Sequence, residues 1–160
     1  MGRGLPVVEL KRVPRSEPVD PDVAVALEGS ELRALVAVCL GSMLGATARY
    51  FIERTWPAGL DSFPWATLLI NASGSLALPF VAIAAAGLWP SAWLVRPALG
   101  TGVLGGFTTF STFAVEQRQL FGDGALATGI LYLASTLAVC AFAAWLGVRL
   151  ARRTVTRWAV

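Results

Sequence analysis

The sequence predicts an all-α membrane protein with four transmembrane helices, the third of them broken near Gly105-Gly106. Three observations carry that prediction. Apolar residues make up 56% of the 160 positions and charged residues only 14%, against about 25% charged in a soluble domain. The apolar residues gather into four runs with the charges at their ends, and each run supplies the roughly 20 residues that a bilayer crossing takes. The third run is not filled with Leu, Val and Ile. It carries Gly100, Gly102, Gly105 and Gly106, then a block of Phe, Thr and Ser.

A chain of this length is normally one domain, here expected to occupy residues 31–153. Residues 1–30 contain Pro6, Pro14, Pro18 and Pro21 among mixed charges. Proline disfavours helix and sheet interiors, so this stretch is expected to be a disordered extension. No apolar run follows its basic residues, and no signal peptide is expected. The first span runs over about 32–52, with Gly41, Gly45 and Ala48 as a small-residue stripe suited to close helix contact. Arg49 near its end is open to two readings, an interfacial snorkelling arginine or a cation at a vestibule. Trp56 and Trp65 flank the first loop as interfacial aromatics. The second span covers about 65–88. It holds Asn71 among Leu68, Leu69, Ile70 and Ala72, with Ser75 one turn on. A buried amide in lipid needs partners, so Asn71 either bonds across helices or faces a polar path. The third span starts at about 94. Glu116, three residues after Phe113 and on its face, reads first as a solvated end-of-helix acid and second as an acid near the end of the polar path. The fourth runs over about 125–150 with Tyr132, Thr136 and Cys140 on one edge. Residues 154–160 are expected to be a C-terminal tail.

Composition excludes several classes of function. There is no histidine, which removes histidine proton relays and serine–histidine catalysis. Cys39 and Cys140 both fall inside apolar runs, so neither a disulfide framework nor a zinc site is expected. The basic residues flank the spans and form no patch, which argues against nucleic acid. No phosphate-binding loop is present, and no base stands near a nucleophile, so an enzyme is not expected.

The block from Gly100 to Phe113 is the most informative stretch. Glycine lets a helix unwind, and unwinding in lipid is tolerated where the freed carbonyls find partners inside the protein. That reading makes the block an ion site. The other reading is packing, since Gly102 and Gly106 form a GxxxG pair. Beyond the glycines, Phe110 and Phe113 share a face, and Thr108 with Ser111 and Thr109 with Thr112 share neighbouring faces. An aromatic ring has a positive edge, so ring edges and hydroxyls together line a path for a small anion without a fixed positive charge.

Gly-Gly-Phe-Thr-Thr-Phe-Ser-Thr-Phe (105–113) resembles the third-helix signature of the CrcB/Fluc family of fluoride channels. Gly-Ser-Met-Leu-Gly-Ala-Thr-Ala-Arg-Tyr (41–50) resembles that family's first helix, and Thr-Leu-Leu-Ile-Asn-Ala-Ser-Gly-Ser (67–75) its second. The resemblance covers about 32–152. It implies a fluoride-selective channel in a bacterial inner membrane, built as an antiparallel, dual-topology dimer with anion paths along the subunit contact. It implies a path lined by Asn71, Phe110, Phe113, Ser111, Thr112, Tyr132 and Thr136, with Arg49 at a vestibule. Cys140 stands where the family has a hydroxyl. It further implies one structural sodium ion at the dimer centre, held by the main-chain carbonyls of Gly105 and Thr108. The partner subunit is either a second copy in the opposite orientation or a paralogue. The Lys/Arg bias of the span ends itself favours both termini in the cytoplasm.

A small four-helix multidrug or cation antiporter is the alternative. Proton-coupled export wants a carboxylate within the membrane, and Glu116 at a span end is the nearest candidate.

Overall fold

The computed structural model describes residues 29–57, 59, 62–88 and 93–158. The extension expected over 1–30 therefore lies outside the described residues, apart from Gly29 and Ser30 in the first turn of a helix. Among the described residues helix is the only regular structure: α1 (Gly29–Thr55), α2 (Trp65–Leu88), a π-helical stretch (Arg96–Leu104) leading into the single turn α3 (Gly105–Phe107), then α4 (Ser111–Gly122) and α5 (Leu126–Trp158). Four segments are long and apolar enough to cross a membrane: Gly29–Thr55, Trp65–Gly87, Arg96–Gly122 and Leu126–Thr156. The third extends beyond Glu116 to Gly122. α5 continues as helix to Trp158, through the segment expected to be a tail.

Two helix pairs organise the bundle. α2 packs along α5, and α1 packs along the third span. Small residues set the second contact. α1 buries Gly41 and Gly45; Gly41 meets Gly102 of the third span, Gly45 meets Val103 and Phe107, and Gly106 meets Ser42. At Gly45 a Cβ would collide with the Val103 carbonyl, and at Gly106 with the Ser42 backbone. Backbone therefore lies against backbone, which lipid-embedded helices achieve only with small residues at the contact. Ser42 Oγ donates to the Gly102 carbonyl at 3.4 Å across the same seam. Away from it the middle of α1 is mostly apolar and exposes Leu40, Met43 and Leu44, as a helix immersed in hydrocarbon or against another subunit would.

The expected break is present but displaced. Gly105 and Gly106 are helical, and the chain leaves the helix at Thr108, whose ψ of 154° is extended. The glycines serve the contact with α1, and unwinding begins where that contact ends. α2 runs unbroken through Pro79. The buried core sits beside the break, where Leu68, Phe113, Leu120 and Tyr132 pack together with Phe63 against them.

Candidate functional site

The break at 108–110 is held by one side chain. Asn71 of α2 donates from Nδ2 to the Thr109 carbonyl at 2.8 Å, and its Oδ1 accepts from the Thr109 N–H at 2.8 Å. A side-chain amide has one donor group and one acceptor, the same complement as a peptide unit. Asn71 thus replaces the helical partners that Thr109 has lost. Thr109, itself buried, restarts the helix. Its Oγ1 accepts from the Thr112 N–H at 3.1 Å, a Thr cap three residues ahead. The same hydroxyl lies 3.2 Å from Ser111 Oγ and 3.1 Å from Thr112 Oγ1. The hydroxyls at 109, 111 and 112 thus form a local cluster in which each has a partner.

These diversions decide which carbonyls stay free. The Leu104 carbonyl accepts from Thr108 N at 3.0 Å and Thr108 Oγ1 at 2.9 Å. Arg49 Nε donates to the Gly106 carbonyl at 3.3 Å, and the Phe110 carbonyl accepts from Ala114 N. The Thr109 N–H, which would have reached Gly105, goes to Asn71. The Thr112 N–H, which would have reached Thr108, goes to Thr109 Oγ1. Among the described residues, the Gly105 and Thr108 carbonyls consequently have no hydrogen-bond donor. No group of three or more His, Cys, Asp or Glu that could hold a metal occurs among the described residues, so main-chain oxygens are the donors the break offers. A hard cation takes oxygen ligands of this kind.

Beside the break lies an open cavity of about 540 Å³ between α2, the third span and α5, lined by Asn71, Gly74, Ser75, Leu78, Gly100, Thr101, Leu104, Gly105, Thr108, Thr109, Phe110, Phe113, Thr136, Leu137 and Cys140. None of these residues is charged. Thr136 is buried, and its Oγ1 has no partner. An unsatisfied buried hydroxyl costs about 1–3 kcal/mol, and this one belongs to a residue of the cavity wall. Phe110 is 79% exposed and stands at the open side, with its ring centroid 5.8 Å from that of the buried Phe113. Phe113 in turn packs on Tyr132 at 5.1 Å.

The cavity gathers Asn71, Phe110, Phe113, Thr136, Gly105 and Thr108. Tyr132 lies behind it, fully buried, and donates to Glu116 Oε2 at 2.7 Å, while Thr67 donates to Glu116 Oε1 at 2.8 Å. The reading of Glu116 as a solvated end-of-helix acid is therefore corrected: it is half-buried and doubly hydrogen-bonded, because α4 extends beyond it and turns it toward α2 and α5. Arg49 stands apart on α1, between the Gly106 carbonyl and Glu53 at 3.6 Å. Sequence reasoning missed Thr67 and the capping role of Thr109. Thr67 lies one turn before Asn71, so extending the Asn71–Ser75 edge backward by four would have found it. Thr109 is a hydroxyl among several, and nothing in its spacing marks it as the capping one.

Residues 36–148 match the family described as CrcB-like protein, Camphor Resistance (CrcB). Among curated proteins, Fluoride-specific ion channel FluC 1 of Streptomyces coelicolor is 46% identical over 124 residues, covering 78% of this chain and 80% of that protein. Fluoride-specific ion channel FluC 2 of Streptomyces avermitilis is 40% identical over 133 residues, 78% of this chain and 84% of its own. Fluoride-specific ion channel FluC 2 of Nocardia farcinica is 38% identical over 138 residues, 86% of this chain and 91% of its own.

Proposed function

The chain belongs to the CrcB family, and from that membership and the geometry of its site we infer that it is a fluoride-specific ion channel, a multi-pass protein of a bacterial membrane. The observation that carries this reading furthest is the uncharged cavity beside the broken third span, walled by Phe110, Phe113, Asn71 and Thr136. A small, strongly hydrated anion gives up water only for hydrogen-bond donors and positive ring edges placed to replace it. Asn71 uses one N–H on Thr109 and has a second to offer. Thr136 also belongs to the wall, with its Oγ1 buried and unpartnered. Phe110 and Phe113 present rings on the same side. An antiporter needs a carboxylate in its binding cavity, and the cavity wall holds none, while Glu116 is already bonded to Thr67 and Tyr132.

The biological logic needs no energy input. Fluoride enters cells in acid as neutral HF and ionises inside. A passive anion path then lets the inside-negative potential drive it out, and no chemical step is catalysed.

Two finer features belong to the same proposal. The working unit is an antiparallel dimer in which the exposed face around Phe110 and Leu137 meets another subunit, a second copy or a paralogue. Support for a paralogue comes from one Streptomyces avermitilis strain that has proteins named FluC 2 and FluC 3. A sodium ion at the dimer centre would be held by the uncommitted Gly105 and Thr108 carbonyls, with the second subunit completing a shell that two oxygens leave unfilled. The ion would supply fixed positive charge near the anion paths. The chain's own part is to keep those two oxygens free, through Asn71 and Thr109, and to occupy the Gly106 carbonyl with Arg49.

The test is efflux from liposomes. Vesicles holding the protein, with its partner where one exists, release fluoride and barely release chloride. Equal rates for both anions refute the reading. Replacing sodium on both sides by a bulky organic cation stops flux, whereas a reversed sodium gradient does not drive fluoride uphill. Unchanged flux without sodium removes the ion from the proposal and leaves the channel reading intact.

A further inference from the structure

The cytoplasm-favouring end of α5 carries a feature that anion conduction does not use. Arg149 folds back so that its guanidinium lies 4.6 Å from the centre of the Trp145 ring, and Trp145 stacks on Phe142 at 5.5 Å. Arg152 and Arg153 follow within the next turn, and all three arginines are exposed. Among the described residues none of the three is in an ion pair or donates a side-chain hydrogen bond. We propose that Phe142, Trp145, Arg149, Arg152 and Arg153 form a docking site for the headgroup of an anionic leaflet phospholipid.

Position on the helix argues for lipid over another protein element. At 3.6 residues per turn these five residues fall within about 100° of arc. Tyr132, Thr136, Ala143 and Ala151, which α5 buries against the bundle, fall on the opposite side. Leu137 and Cys140, which border the cavity, lie toward that opposite side as well. The stripe thus faces away from both the core and the cavity. Depth argues the same way. α5 begins at Leu126, and Arg149 is about 35 Å further along the axis at 1.5 Å per residue, beyond a hydrocarbon core of about 30 Å. By the same measure Trp145 lies about 29 Å along, at the edge of that core, where aromatic residues mark the membrane interface.

Chemistry supplies the ligand class. Stacking on Trp145 occupies one face of the guanidinium and leaves its N–H edge free, and that edge matches the paired oxygens of a phosphodiester. Trp145 and Phe142 offer the apolar surface that glycerol and upper acyl carbons cover. Arg152 and Arg153 add charge at the surface, where each basic residue draws anionic lipid.

Native mass spectrometry of the full chain in detergent tests this, with phosphatidylglycerol and phosphatidylcholine of identical acyl chains offered in equal amounts. The wild type retains phosphatidylglycerol preferentially. Arg149→Gln/Arg152→Gln/Arg153→Gln lowers that preference at least tenfold, taking about fivefold per arginine at the surface as the ceiling. Trp145→Leu lowers it in part, by releasing Arg149 from its position. Arg54→Gln/Arg118→Gln, which removes two charges from the opposite end, leaves it unchanged. An unaltered ratio in the triple variant overturns the proposal. An equal fall in the Arg54/Arg118 variant also overturns it, because net charge alone would then set the ratio. Arg152→Gln alone, at an exposed position that folding does not need, lowers the ratio by a measurable fraction. No change there in a folded protein counts against the site.

Discussion

Asn71 spends its amide on both polar groups of a single residue, Thr109, across from it on the third span. Truncation to alanine strands a buried N–H and a buried carbonyl, each worth about 1–3 kcal/mol. We expect Asn71→Ala to lose about 3 kcal/mol of stability in detergent and all fluoride efflux. Asn71→Asp keeps an acceptor for the N–H but has nothing to donate to the carbonyl, and it also loses efflux. Wild-type flux in either variant would separate the amide from the break. Phe110 allows a cleaner test of the ring than Phe113 does. Phe113 is 8% exposed and packed on Tyr132, so substitution there disturbs the core by about 1–2 kcal/mol as well. Phe110 is 79% exposed within its own subunit, so exchange there leaves that subunit's core intact to within about 0.5 kcal/mol. Phe110→Ile is expected to abolish flux while the subunit stays folded. Full flux in the purified variant would make that ring irrelevant to conduction.

At the scale of elements, the seam between α1 and the third span determines where unwinding begins. A Cβ on Gly45 or Gly106 would meet backbone atoms of the opposing helix, which cannot swing aside as a side chain can. Gly45→Ala and Gly106→Ala each force the helices apart at a cost of about 3 kcal/mol. Size exclusion and thermal melting in detergent should show aggregated or strongly destabilised protein for both. Gly122→Ala, which has open space around it, should melt at or above the wild-type temperature, since alanine is the better helix former by up to about 1 kcal/mol. Equal melting of all three would mean that the seam tolerates separation. The glycines were legible in the sequence as either packing or unwinding residues. The structure divides the two roles, giving the glycines the packing and Thr108 to Phe110 the unwinding.

For the whole molecule the open matter is insertion. Four spans place both ends of the membrane domain on one side. Arg33, Arg96, Arg149, Arg152 and Arg153 lie toward that side, and Arg49, Arg54 and Arg118 toward the other. Arg49 is engaged with the Gly106 carbonyl and Glu53, so it acts less as a loop charge and the imbalance grows. Orientation follows such bias near span ends. We therefore expect this subunit to insert one way, with both termini in the cytoplasm, and to require an oppositely oriented partner for flux. A C-terminal reporter active only in the cytoplasm should give signal, and one active only outside should give none. Comparable signals from both would establish dual insertion and make the chain its own partner.

Hydrophobic run length and charge placement determined the four spans, because a bilayer admits few alternatives to a helix of about 20 apolar residues. Helical spacing likewise placed Tyr132, Thr136 and Cys140 on one inward edge, since that periodicity is local. Spacing along one helix carries no information about which residue of another helix stands opposite. Only tertiary structure paired Asn71 with Thr109, brought Thr67 and Tyr132 onto Glu116, and moved the break from Gly105-Gly106 to Thr108. Each of those outcomes depends on where one backbone passes another, and that is settled by the approach distance at the glycine seam, not by the composition of any single span.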